Sequence, residues 1–600
     1  MTRSIILGNG SLTVLFDSKY RMRELYYPLP TDNHLVKSLI GIFKDGKFAW
    51  VHDLQPKVAY QEDTLSSTME AEFDQVKVKI SDAVDIHADA MLRNVSISSP
   101  SEVKVFFTMD FNIMGNNIGD TALVDFKTGG MIHYKRDKWF MYKCTRPFSE
   151  LATGYKEING LQGTWKDCED GKLSGNPVAQ GSVDSAVGIQ VPFSDSFQCL
   201  LLAGKNYPEL IRLNKYIEDK TISGLIKRTE DYWRAWLVKA KGEEDWIRRS
   251  LLIITAHWQN NGAITAALDT DIMRFNRDTY NYVWHRDAAF AGLALTALKY
   301  EDHVRNFLLF TKQLLYNGFL FQKYTADGNW GSTWHPWTTK HIPIQEDETA
   351  MIVYLAWEHF KTFWDIYFIK PLYSGLIKSA ANFMTSFIDE DSLLPLPSYD
   401  LWEERKGTHL YTTAAVYAGL SAAANFAQFF GEDAVAERYR QAAEGIRKAS
   451  SKFYVGDHFA RTINEDGSID KTVDASTLLA SILGLYEPKD ERVISNRKRI
   501  EEALKVNGGI VRYENDMYLR KEDKPNPWII TTLWLAQQYI LEDDLNSAQD
   551  LVNWVLNKAL PTGVLPEQVT PSGEYPSVCP LVWSHAELIR TYTLMRSKGK

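Results

Sequence analysis

Arg228-Thr229-Glu230-Asp231-Tyr232-Trp233-Arg234-Ala235-Trp236 is a charged helical stretch where the chain changes texture. Up to about residue 225 the pattern is strand-like. Leu12-Thr13-Val14-Leu15-Phe16 follows a Gly8-Asn9-Gly10 turn, and Val76-Lys77-Val78-Lys79-Ile80 alternates apolar and polar residues with period two. Asn94-Val95-Ser96-Ile97 and Val103-Lys104-Val105-Phe106-Phe107 keep that rhythm, with Gly, Asn, Asp and Pro between the runs. Beyond Glu243 the period is helical. Helices are expected from Trp246 to His257, Ala414 to Phe430, Asp433 to Phe453, Ser476 to Tyr486 and Trp528 to Ile540. The reading is an antiparallel β-sandwich over residues 1–220, a linker helix over 221–243, and a helical domain over 244–600 that fits a closed double ring of helices.

Six hundred residues exceed one hydrophobic core, so at least two domains are expected. A formal charge of -9 without clustered Lys and Arg argues against nucleic acid as a partner. No apolar run approaches the roughly 20 residues needed to cross a bilayer, and none near Met1 is long enough for an export signal. No membrane partner and a cytoplasmic location are therefore expected; oligomeric state is not assigned. Cys144, Cys168, Cys199 and Cys579 show no CxxC spacing, so neither a zinc site nor a disulfide framework is indicated, although three cysteines in the first 200 residues leave room for a chance pair. Aromatic residues make up 12% of the chain. Most fill cores, but several stand in polar loops beside carboxylates, where a flat apolar face suits a sugar ring.

Two loop carboxylates carry the chemistry. Leu401-Trp402-Glu403-Glu404-Arg405-Lys406-Gly407 and Leu565-Pro566-Glu567-Gln568 each place glutamate among Pro, Gly and aromatic residues that break helices. Hydrolysis of a glycosidic bond needs one acid for the leaving oxygen and one base for water. Tyr280-Asn281-Tyr282-Val283-Trp284-His285-Arg286-Asp287 adds a forked cation and a carboxylate suited to adjacent sugar hydroxyls, with a structural ion pair as the equal alternative. Its His-Arg-Asp triplet also spells a kinase motif, but no glycine-rich loop precedes it and no Asp-Phe-Gly follows. Ile344-Gln345-Glu346-Asp347-Glu348 is expected to cap a following helix through its dipole. His335 and His341 lack the spacing of a metal pair, and no metal is expected.

In this order the motifs resemble glycoside hydrolase family 15, the glucoamylases and their relatives. The resemblance runs from 280 to 588 and rests on Tyr282-Val283-Trp284-His285-Arg286-Asp287, Asp400-Leu401-Trp402-Glu403-Glu404, Arg512-Tyr513, Asn526-Pro527-Trp528, Glu567-Gln568 and Trp583-Ser584-His585-Ala586-Glu587. Leu7-Gly8-Asn9-Gly10 and Leu25-Tyr26-Tyr27-Pro28 are similar to the N-terminal part of prokaryotic members. It implies an antiparallel β-supersandwich followed by an (α/α)6 barrel catalytic domain, and hydrolysis with inversion. Residue by residue, it implies Glu403 as general acid and Glu567 as general base. Glu404 with Arg512 would hold the sugar on the leaving side, Arg286 and Asp287 would grip the terminal glucose, and Tyr280, Trp284 and Trp402 would line the reaction centre. The stacking Trp of the family is either Trp334 or Trp337. The expected substrate is an oligosaccharide or polysaccharide, with no cofactor. Trehalase and glucodextranase activities are the runners-up. A disaccharide phosphorylase lacks the base that Glu567 supplies, and a sugar-binding relative with a dead site would not keep both carboxylates.

Overall fold

The structure is a computed structural model that describes residues 2–158, 161–276, 278–338 and 342–598. It divides into two compact units. One comprises Met1–Asn260, Leu268–Thr279 and Leu560–Val564; the other comprises Asn261–Ala267, Tyr280–Ala559 and Leu565–Lys600.

Antiparallel sheets dominate the first unit. Nine strands run in the order Val178–Gly181, Asp120–Asp125, Gly130–Lys135, Lys138–Cys144, Asp195–Gly204, Ala90–Ser98, Val76–Val84, Ser66–Phe73 and Lys57–Tyr60. A second sheet is built around Val103–Phe111, flanked by Val183–Val191 and Ile40–Lys44. Alternation produces this arrangement directly: Val76, Val78 and Ile80 are buried while Lys77 and Lys79 face out. The buried set joins one core with Val95, Ile97, Val103, Val105, Phe107 and Ile189.

One expectation needs correction here. Residues Tyr207–Lys220, placed in the strand-rich half, form a helix ahead of Ile222–Trp236. Asn206 caps it, its side chain accepting the Glu209 N–H at 3.0 Å, and Pro208 stands in the first turn. Leu210, Asn214 and Ile217 are buried at helical spacing, a period that the preceding strands masked. The cysteines carry no disulfide framework by spacing, yet the pair that was left open does form. Cys144 and Cys199 lie opposite each other on paired strands and form a disulfide, while Cys168 and Cys579 are free and buried. Cross-strand pairing over 55 residues leaves no local spacing to read.

A buried cation anchors the first strand. Arg3, fully buried, donates to Glu24 Oε2 at 2.6 Å and pairs with Asp269 at 3.2 Å and Asp271 at 3.0 Å. These partners hold its guanidinium charged against the cost of burial.

The second unit is helical. Six helices pack in sequence: α1 (His285–Ala297), α2 (Glu346–Phe363), α3 (Leu410–Phe429), α4 (Leu479–Ile482), α5 (Ile529–Leu541) and α6 (Val582–Lys598). Each contacts the next, and α6 returns to α1. Their composition explains the placement. α1 is buried on nearly every side, whereas the neighbouring helix Asp433–Ala449 buries only a stripe of Ala436, Tyr439, Ala443 and Ile446. Small residues let the axes approach: a Cβ on Gly419 of α3 would stand 2.9 Å from the Ala350 carbonyl oxygen of α2. Among the described residues, no helix is long and apolar enough to cross a membrane.

The Arg3 cluster yields a stability test. Arg3→Met leaves Glu24 and Asp269 buried without their cation, while Asp271 keeps Arg23 at 3.2 Å, and should cost about 3–5 kcal/mol, read as a lower urea midpoint for the β-rich unit. An unchanged midpoint would contradict the buried pairing.

Candidate active site

Every site residue selected from sequence lies in the helical unit, near the start of an inner helix. Arg286 and Asp287 are in the first turn of α1, with Tyr280 and Trp284 just before it. Trp402, Glu403 and Glu404 precede α3, Arg512 precedes α5, and Glu567 precedes α6. Helix starts leave backbone N–H groups unpaired and carry positive partial charge, which favours carboxylates there.

Arg286 is the buried centre of one group. Its guanidinium lies 3.2 Å from each of Asp287, Asp347 and Glu348, and its backbone N–H donates to Glu348 Oε2 at 2.6 Å. The acidic run expected as a cap does open α2, but Glu346, Asp347 and Glu348 are all fully buried, and the last two belong to Arg286. Burial raises the pKa of all three despite the cation beside two of them. Asp287 is pushed up to about 6 by burial, against the pull of Arg286 and with the help of the Glu403 charge.

Glu403 sits at a backbone corner with φ of 63°, a left-handed conformation uncommon for a residue with a side chain. Asp400 builds that corner. Its carbonyl accepts the Glu403 N–H at 2.9 Å, and its Oδ1 accepts from the Glu404 and Arg405 backbones at 2.7 and 3.0 Å. Two indoles then fix the residue: Trp284 donates to Glu403 Oε1 at 2.5 Å, and Trp334 donates to the Glu403 carbonyl at 3.1 Å. Glu404 diverges to other partners, accepting from Arg512 at 2.9 Å, Tyr513 at 2.6 Å and Arg405 at 2.9 Å. Trp402 turns inward, donating to Asp474 at 3.0 Å with the Arg512 guanidinium 5.1 Å from its ring centre.

Glu567 is buried and held by different groups. Gln568 donates to its Oε2 at 3.2 Å, and the Ser577 hydroxyl donates to the same oxygen. Burial nevertheless raises its pKa to about 7, assisted by the Asp287 charge. The groups converge electrostatically. The charges of both Glu567 and Glu403 raise the Tyr280 phenol, whose oxygen lies 2.7 Å from that of Tyr518. Asp287 likewise feels Glu403 and acts on Glu567. Two carboxylates, a phenol and an arginine-bound aspartate thus share one surrounding, an arrangement able to move protons around a polyhydroxylated substrate.

A family model described as glycosyl hydrolases family 15 matches residues 245–560, more than half of the chain. The chain belongs to glycosyl hydrolase family 15. Similar proteins extend the match. An uncharacterized glycosyl hydrolase of Methanocaldococcus jannaschii is 26% identical over 97% of each chain. Trehalase 2 of Sulfolobus acidocaldarius is 25% identical over 56% of this chain and 62% of its own. A crystal structure of a bacterial glucoamylase complexed with acarbose covers 100% of this chain and 94% of its own, with a TM-score of 0.85 at 18% identity, a likeness of fold.

Within this family member, the structure brings together Tyr280, Trp284, Arg286, Asp287, Glu403 and Glu567, with Glu404 and Arg512 joined beside them. The two Trp candidates separate. Trp334 bonds the Glu403 backbone, whereas Trp337 packs on Phe321 and Trp330 at 5.2 and 5.6 Å between ring centres. His341 lies outside the described residues. Among those described, no group of three His, Cys, Asp or Glu could hold a metal. Sequence reading missed Ser577, Tyr518 and Asp474, which carry no local signal, and Asp347 with Glu348, whose acidic run resembles an ordinary cap.

Ser577 sets a measurable property of Glu567. Ser577→Ala removes a donor to the ionised form, so the Glu567 pKa should rise above about 7, as followed by isotope-edited infrared titration of its carboxyl. A fall would contradict the assigned hydrogen bond.

Proposed function

We propose that this chain is an exo-acting inverting glucosidase of glucoamylase type. It removes β-D-glucose from the non-reducing ends of α-1,4-glucans and maltooligosaccharides. The observation that carries this reading is the shared reach of Glu403 and Glu567 to Tyr280 and Asp287. The domain plan that goes with it is a β-supersandwich over 1–220, a linker helix over 221–243 and an (α/α)6 barrel over 244–600. The return of α6 to α1 supports the barrel.

In this mechanism Glu403 protonates the departing glycosidic oxygen while Glu567 takes a proton from water attacking the opposite face of the anomeric carbon. Arg286 and Asp287 grip the terminal glucose, and Glu404 with Arg512 holds the sugar on the leaving side. Tyr280, Trp284 and Trp402 line the reaction centre. A base must be ionised, so with the Glu567 pKa at about 7 the free enzyme should lose kcat/KM as pH falls below that value. The same raised pKa favours a second assignment with the roles exchanged, since raised carboxyls serve as acids. Trehalose is the substrate alternative, motivated by similarity to the Sulfolobus acidocaldarius trehalase.

Three linked measurements test the reading. Glucose release from maltose, maltotriose, isomaltose and trehalose, with and without phosphate, should favour the maltooligosaccharides and ignore phosphate. A preference for trehalose would overturn the substrate; a need for phosphate would overturn hydrolysis. Glu403→Gln and Glu567→Gln should each lower kcat by about 10²–10⁴. α-Glucosyl fluoride, whose leaving group needs no proton, should restore turnover to Glu403→Gln but not to Glu567→Gln. The reverse pattern would exchange the two roles.

A further inference from the structure

A cavity of about 630 Å³ opens at the other end of the inner helices, within the size range of small-molecule sites, roughly 300–1,000 Å³. Five of the six contribute to its wall: α1 through Leu293 and Ala297, α2 through Tyr354 and Glu358, α4 through Ile482, α5 through Gln537, and α6 through Arg590. The candidate active site sits at the N-terminal ends of these helices, whereas Ala297 is the last residue of α1, roughly 16 Å along that helix from Arg286. The cavity is therefore separate from the site described above.

Its chemistry selects a class of ligand. Apolar surface comes from Leu293, Ile482, Leu541 and Leu594, enough for the C–H face of a small ring. Donors and acceptors are interspersed with it. Arg590 and Arg596 donate, Glu358 accepts, and Tyr354 can do either. The Thr593 hydroxyl donates to the Arg590 carbonyl at 3.0 Å and that of Ser597 to the Leu594 carbonyl at 2.7 Å, which leaves both oxygens to the cavity as acceptors. The charges do not favour an anion. Arg590 is matched by Glu587, at 2.8 Å to each oxygen, and the carbonyl ends of α1, α5 and α6 bring negative partial charge. A cation meets Arg596, and Glu358, the acidic residue of the lining, is already paired with Lys361 at 2.8 Å. A neutral molecule whose every polar group both donates and accepts satisfies all of these conditions.

We propose that this cavity is a second binding site, taking a small uncharged sugar of mono- or disaccharide size. It has a physical connection to the first. The Arg590 guanidinium lies 4.8 Å from the Phe290 ring centre; Phe290 stacks on Trp583 at 5.1 Å; and the Arg286 guanidinium lies 5.5 Å from the Trp583 ring. Glu587 runs alongside, accepting from Trp583 at 3.0 Å and from Gln537 at 2.6 Å. One packed column thus spans from the cavity wall to the cation of the candidate active site.

The test counts bound sugar in the full-length chain. Equilibrium dialysis of labelled maltose against Glu567→Gln, which slows turnover, should retain two molecules per chain. Ala297 is exposed, so Ala297→Trp can fill the cavity without displacing core. Added to Glu567→Gln, it should leave one bound maltose, and the surviving site shows that the variant is folded. Tyr354→Phe removes one hydroxyl and should weaken the second site roughly three- to tenfold. A single maltose in both proteins, unaffected by Ala297→Trp, overturns the cavity site and leaves the catalytic reading intact. A single maltose that Ala297→Trp abolishes, while circular dichroism shows the fold retained, supports the cavity and counts against the catalytic reading. Displacement of the Ala297→Trp-sensitive maltose by inorganic phosphate overturns the uncharged-ligand assignment.

Discussion

The candidate active site of the helical unit depends on one buried guanidinium. Arg286 is nearly inaccessible and stands against Asp287, Asp347 and Glu348. One cation among three carboxylates cannot neutralise them all, so burial raises the pKa of each aspartate and glutamate in the group. The arrangement also locks two helices together, because the carboxylates of Asp347 and Glu348 open α2 while the cation and its own backbone N–H open α1. A rigid, charged floor results, on which the remaining site residues are placed by loops.

Those loops give the two key glutamates unlike surroundings. Glu403 is held through its side chain by one indole and through its carbonyl by another, at a corner that Asp400 shapes. Glu567 is deeply buried with one serine and one glutamine as donors, and desolvation outweighs both. The neighbouring Glu404, although adjacent in sequence to Glu403, is engaged by Arg512, Tyr513 and Arg405. Three carboxylates thus have three environments, set by packing rather than by residue type.

Much of this was legible in the chain. Period-two alternation located Val76–Val84 and Val103–Phe111, and the helical period located α3 and α5 to within a few residues. The resemblance gave Glu403 and Glu404 separate roles, and the two side chains do take different partners, Trp284 for one and Arg512 with Tyr513 for the other. The failures have physical causes. Tyr207–Lys220 follows a strand directly, and its signs, the Asn206 cap, Pro208 and the helical spacing of Leu210, Asn214 and Ile217, were absorbed into the strand-rich half. The Cys144–Cys199 pair depends on strand register, which no local spacing encodes. Asp347 and Glu348 read simply as a helix cap because nothing in a sequence shows a cation arriving from another helix. Ser577 and Tyr518 act through single hydroxyls on loops, and a hydroxyl has no pattern.

The central claim is that two separate carboxylates direct water to the face opposite the leaving group. Proton NMR during the first minutes of maltotriose cleavage, before mutarotation mixes the anomers, reads that geometry directly. The account predicts that the glucose released appears first as the β-anomer. Initial α-glucose would mean a retained configuration and would contradict the assignment of Glu403 and Glu567 as an acid and base acting in one displacement.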